Sequence, residues 1–221
     1  MRTLLVYILL MNFVSSIYSQ NTDFSIREII KQLDYELLII DSLTFSKVTT
    51  QLIVEDQKET KPRTESDFVK QYPQIFKKVD KCYNIKGIDR KPYDICEYDS
   101  TKDMKERSQY EFKGQYCDFA LIYVTGYEWW GYISVDLTNG IGFYTMGIPL
   151  TCDCITSFSH SNYYGEEELS FTNMESKNQL VIGIDNWSTV ESKQRDKEYY
   201  LKLEPFDQRD KQYKYLKIEI K

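Results

Sequence analysis

Residues 25–40 read SIREIIKQLDYELLII, and the periodicity given to this stretch decides the fold class. Ser25 and Glu28 stand at capping-box spacing. The serine hydroxyl can accept from the Glu28 backbone N–H while the carboxylate reaches back. Ile26, Ile29, Ile30, Leu33, Leu37 and Ile40 follow at helical intervals. This spacing predicts an amphipathic helix from Ile26 to about Ile40 that covers a core.

Downstream the texture changes. Val48, Thr50, Leu52 and Val54 alternate with Thr49, Gln51 and Ile53, which predicts a strand within residues 43–54. Thr64-Glu65-Ser66-Asp67 opens a second helix, with Phe68, Tyr72, Ile75, Phe76 and Val79 on one side and a kink or restart at Pro73. Residues 82–107 hold Gly87, Pro92, two cysteines and many charges, and read as a long loop. From Tyr110 onward strands dominate. Residues 116–125 (YCDFALIYVT) read as a central strand, and Thr138-Asn139-Gly140 supplies the tight turn of a hairpin. Residues 176–183, 199–203 and 213–220 continue the series. The expected architecture is α+β, with one or two N-terminal helices packed on a mainly antiparallel C-terminal sheet (a meander, sandwich-like or a partly open barrel).

Working outward to the chain start, Arg2 precedes the apolar run LLVYILLMNFV at 4–14 and a short, mildly polar stretch that ends on the small residue Ser19. This reads as a cleavable secretory signal over 1–19, too short for a bilayer-spanning helix. Cleavage of 19 of the 221 residues leaves 202, read as a single domain: 20–107 helical and loop-rich, 108–221 β-rich. The expected location is secreted or periplasmic, with no transmembrane segment after signal removal. The net charge of -6 disfavours a nucleic-acid partner.

Five cysteines follow the leader: Cys82, Cys96, Cys117, Cys152 and Cys154. In an oxidising compartment pairing is expected, and an odd count leaves one over. Cys82 with Cys96 is the first choice, and a link from the Cys152/Cys154 pair to Cys117 or the upstream loop is the second expectation. Cys152, Cys154 and His160 could offer soft ligands to a metal, but the spacing is not that of a zinc site. The expectation is no metal and no cofactor.

Nineteen Tyr, eleven Phe and three Trp make this an aromatic-rich chain. Trp129-Trp130-Gly131 and Tyr163-Tyr164-Gly165 each lead into a strand, a turn, a second strand and a glycine. The echo suggests successive hairpins, since the chain is too short for a propeller. Tyr127, Trp129, Trp130, Tyr163, Tyr164 and Trp187 gather near expected turns and are the candidate ligand-binding residues; Tyr132 belongs to the same cluster. Trp129 and Trp130 are consecutive, so on a strand only one can face inward. His160 lies between Ser159 and Ser161, which should face away from it, and no nucleophile elbow is present. Glu166 and Glu168 would share a strand face, as paired carboxylates of a hydrolase would need, yet neighbours on one strand do not flank a bond. The function expected is therefore binding without chemistry, of a protein or glycan partner, with an immunity-protein-like role as one form of it. A hydrolase acting on glycans or peptides outside the cytoplasm, or a structural envelope component, are the alternatives.

Overall fold

The structure is a computed structural model that describes residues 24–51, 58–88, 92–206 and 212–221. The expected secretory leader and its expected cut after Ser19 lie outside the described residues. The fold is mostly β, with 57% strand and 10% helix, and this corrects the α+β expectation. Two α-helices occur among the described residues, and neither is the one expected at Ile26–Ile40.

That stretch forms two strands, β1 (Ile26–Lys31) and β2 (Tyr35–Ile40). The inward residues are Phe24, Ile26, Leu33, Tyr35 and Leu37, while Ile29, Ile30, Leu38 and Ile39 are exposed. A bulge between Glu28 and Ile30 and a corner at residues 32–34 break the period of two. The interrupted alternation imitates helical spacing. Glu28 does not cap a helix; its carboxylate accepts from Tyr35 Oη at 2.7 Å and Lys31 Nζ at 2.9 Å. The reverse exchange follows at once. The expected strand within 43–54 is instead helix α1 (Ser42–Gln51), as far as the described residues reach. Asp41 starts it by accepting from the Thr44 backbone N–H at 2.7 Å and the Thr44 hydroxyl at 2.9 Å. Phe45 anchors it on Tyr215, with ring centroids 4.9 Å apart. A cap and one ring override weak β-branched helix propensity.

Helix α2 (Glu65–Gln71) begins at a Thr64/Asp67 capping box and ends at Tyr72, just before Pro73. The expected long loop contains strands β4 (Cys82–Gly87) and β5 (Pro92–Cys96), which pair antiparallel after the two-residue β3 (Lys78–Val79). The expected central strand at 116–125 is split. β6 (Ser108–Tyr116) turns at Cys117-Asp118 into β7 (Phe119–Gly126), which returns through Tyr127-Glu128 into β8 (Trp129–Asp136). The Asn139-Gly140 turn then leads to β9 (Ile141–Thr145); Gly140 has φ +73° there, and the Asp136 carboxylate holds the Thr138 N–H at 2.8 Å. These strands form one sheet in the order β3-β4-β9-β8-β7-β6, with β5 on β4.

The chain continues through β10 (Thr156–Tyr163), β11 (Glu166–Asn173), β12 (Gln179–Asp185), β13 (Trp187–Arg195), β14 (Glu198–Pro205) and β15 (Lys214–Ile220). Two four-stranded sheets result, β1-β12-β11-β10 and β13-β14-β15-β2. Their inner faces share one core, including Phe158, Leu169, Phe171, Leu180, Leu201, Leu203, Leu216 and Ile218. Each sandwich sheet thus takes one edge strand, β1 or β2, from residues 26–40 and its other three strands from residues 156–220.

The seven-stranded sheet has two faces with separate cores. On one, α2 places Phe68 over Ile122, Ile133 and Val135. On the other, Tyr116, Phe119, Leu121 and Phe143 meet Met174 from the β11–β12 turn. Lys177 of that turn reaches Asp136 at 2.7 Å and lies 4.5 Å from the Phe119 ring centroid. Burial pushes the Asp136 carboxyl up, but the Lys177 and Thr138 hydrogen bonds outweigh it and hold the group below its ordinary value. Gly147 closes the same joint, because a Cβ there would stand 2.1 Å from the His160 carbonyl oxygen.

Candidate binding groove

Strand register builds the site. Tyr127-Glu128 is the tip of the β7–β8 hairpin, so Thr125 pairs with Trp130 and Tyr123 with Tyr132. Directly paired residues share a sheet face, so these four side chains stand on the face opposite the α2 core. Farther down, that face is covered by the Met174 turn. Toward the hairpin tip it is uncovered and forms a groove of about 350 Å³. Tyr123, Trp130 and Tyr132 line one wall, with Lys113; Met146, Ile148 and Ser161 complete it from the β9–β10 segment and β10.

The turn after β10 supplies further rings. Tyr163 packs edge-on against Trp130, with centroids 5.0 Å apart, and Tyr164 packs against Tyr163 at 4.5 Å. The Tyr163 hydroxyl donates to the Glu128 carbonyl at 3.3 Å. The two aromatic-aromatic-glycine segments of the sequence therefore meet in space, although they begin strands of different sheets. Tyr164 is 85% exposed and Trp129 43%. Trp129 turns to the other side of its strand and lies over Gly126, as consecutive positions require. Tyr127 sits at the tip, beside a second cavity. Trp187 is placed apart from the groove: it is 6% exposed in the sandwich core, edge-on to Phe24 at 5.9 Å.

Electrostatics in the groove are simple. Lys113 Nζ bonds Glu111 at 2.5 Å and stands 5.6 Å from the Tyr123 ring centroid. Burial, then the neighbouring Tyr123, push the Tyr132 phenol above its ordinary value, so it remains a hydroxyl donor at neutral pH. Among the described lining residues there is no carboxylate, histidine or cysteine.

The other reactive groups lie elsewhere. His160 Nδ1 is 3.1 Å from Glu167 Oε1, and that carboxylate is 1% exposed on the sandwich side of its sheet. Glu166 is engaged by Arg27, which also stands 3.9 Å from Asp185. Burial pushes the Glu168 carboxyl up, against hydrogen bonds from Ser170 and the Met146 backbone. Cys82 and Cys96 are joined across β4 and β5, with Cα atoms 4.0 Å apart. Cys117 and Cys154 form a second disulfide between the β6–β7 turn and the segment before β10. Cys152 belongs to neither. Cys154 is thus withdrawn from any thiolate set with His160, and no group of three or more potential metal ligands occurs among the described residues. Among those residues no helix is long and apolar enough to cross a membrane.

Tyr123, Lys113 and Met146 were not legible as site residues. The hairpin tip was the missing signal: placing it at Tyr127-Glu128 pairs Tyr123 with Tyr132 and exposes the ring wall. Lys113 is further hidden by a bulge between Phe112 and Gly114. No family model, curated protein or solved structure matches this chain.

Proposed function

We propose that this is an exported, non-enzymatic glycan-binding protein, and that the Trp130 groove is its binding site. The observation that carries the reading is the groove itself: three aromatic rings on one sheet face, edged by hydroxyls and one cation, around an open volume of about 350 Å³. Small-ligand sites span ~300–1,000 Å³ and combine apolar rings with few polar groups. Sugar rings offer C–H faces for stacking and hydroxyls for the rim, which matches Trp130, Tyr123 and Tyr132 beside Ser161 and Lys113. The short leader and the two disulfides support export, to the periplasm or beyond.

An immobilised oligosaccharide panel tests the reading. The protein should retain a subset of saccharides, and Trp130→Ala should weaken retention about tenfold or more, as loss of a central aromatic anchor does. Retention of no saccharide, or equal retention by Trp130→Ala, overturns it.

A further inference from the structure

A second cavity, of about 360 Å³, flanks the same hairpin and is lined by Tyr98, Met104, Arg107, Gln109, Thr125 and Tyr127, among others. The two cavities are joined through the sheet. Gln109 pairs with Thr125, and Thr125 pairs with Trp130, so one rung carries residues of both. The next rung is Glu111, Tyr123 and Tyr132. A ligand leaving the Trp130 groove along this face meets the second cavity next.

Charge distinguishes the pair from the rest of the molecule. The chain as a whole carries -6. Yet the sole charged residue among the described lining of each cavity is basic, Lys113 in one and Arg107 in the other. Arg107 is rigidly held. Its Nε donates to the Lys102 carbonyl at 2.8 Å, one Nη to the Ser100 carbonyl at 2.9 Å and the other to the Tyr98 hydroxyl at 3.3 Å. None of these acceptors neutralises it. Lys113 is fixed by Glu111 against the Tyr123 ring. Each cavity holds tyrosine rings and a basic residue, but the Glu111 carboxylate offsets the Lys113 charge, so Arg107 is the cation held only by neutral oxygens.

A neutral sugar needs rings and hydroxyl partners but no cation. We infer that the two cavities are consecutive subsites for one acidic glycan chain, its sugar rings on Trp130, Tyr132 and Tyr127 and a carboxylate toward Arg107. This rests on the glycan reading above and adds chain length and charge to it.

Calorimetric titration of the whole protein with oligogalacturonates from di- to hexasaccharide tests it, with neutral malto-oligosaccharides and oligoglutamate peptides as comparators. The hexasaccharide should bind about tenfold or more tighter than the disaccharide, because linked subsites act together. Added salt should weaken it. Arg107→Gln should cost the hexasaccharide more affinity than the disaccharide. Tyr127→Ala, at the hairpin tip, should do the same without touching the loop carbonyls that Arg107 holds. Neutral oligosaccharides binding as tightly, or no gain with length while Trp130→Ala still abolishes binding, would overturn the acidic-chain inference and leave the glycan groove standing. Tighter binding of oligoglutamate, or no saccharide binding at all, overturns both.

Discussion

The sandwich and the seven-stranded sheet solve the same packing problem differently. In the sandwich, aliphatic and aromatic residues of two sheets close on one continuous core, and charged residues clothe the outside. Glu198, for instance, is held by Lys217 at 2.5 Å, by the Tyr200 hydroxyl at 2.8 Å and by Arg195. The seven-stranded sheet has no second sheet to pair with. It covers one face with α2 and aromatic rings, and half of the other with a borrowed turn. The uncovered half is the groove. One disulfide lies wholly within this sheet, and the other ties its β6–β7 turn to the segment before β10.

The largest test of this division is Phe171→Ala. Phe171 is fully buried and touches Phe158 and Tyr199. Its truncation should cost about 3–5 kcal/mol in denaturant unfolding. A loss below about 1 kcal/mol would show that the sandwich is not the chief source of stability. The joint Cys82→Ser and Cys96→Ser change should cost about 2–4 kcal/mol, the loop-closure entropy that a link across 14 residues removes from the unfolded chain. Its effect should be confined to β3–β5, read by hydrogen exchange; loss of protection in the sandwich would mean the two regions unfold as one.

The smallest effect concerns Glu198. Burial pushes its carboxyl up, but hydrogen bonds from Lys217, Arg195 and Tyr200 prevail and hold it at about 2. A depressed carboxylate stabilises the fold above its unfolded value, and that contribution is lost as pH falls through about 2. Glu198→Gln should therefore melt slightly earlier than the parent at neutral pH, and the gap should close toward pH 2. A gap independent of pH would assign the effect to packing.

The same contrast governs what could be read from sequence. β8, β9, β11, β12, β14 and β15 were legible, because local alternation and the Asn139-Gly140 turn carry the signal; β10 and β13, the latter bulged between Thr189 and Glu191, were not read. Cys82 with Cys96 was legible because both lie in one short segment. β1 and β2 were not, because a bulge and a corner merged two alternating sets into one helical rhythm. α1 was hidden by Val48, Thr49 and Thr50, whose preference for strand yields to the Asp41 cap and the Phe45 contact. Of the candidate ligand residues, Trp130 and Tyr163 meet in the groove, while Trp187 reads the same in sequence and lies in the core. Burial of a tryptophan is settled by which sheet covers it, and that is not a local property.

The edge strands carry a consequence for biosynthesis. β2 pairs with β15, which leaves the ribosome about 170 residues after it, and the Lys221 N–H donates to the Asp34 carbonyl at 2.9 Å. β3 to β9 find all their partners among one another, so that sheet can assemble while translation continues. The sandwich cannot close until β15 is made, and a nascent chain stalled short of it would present β2 to chaperones without its strand partner.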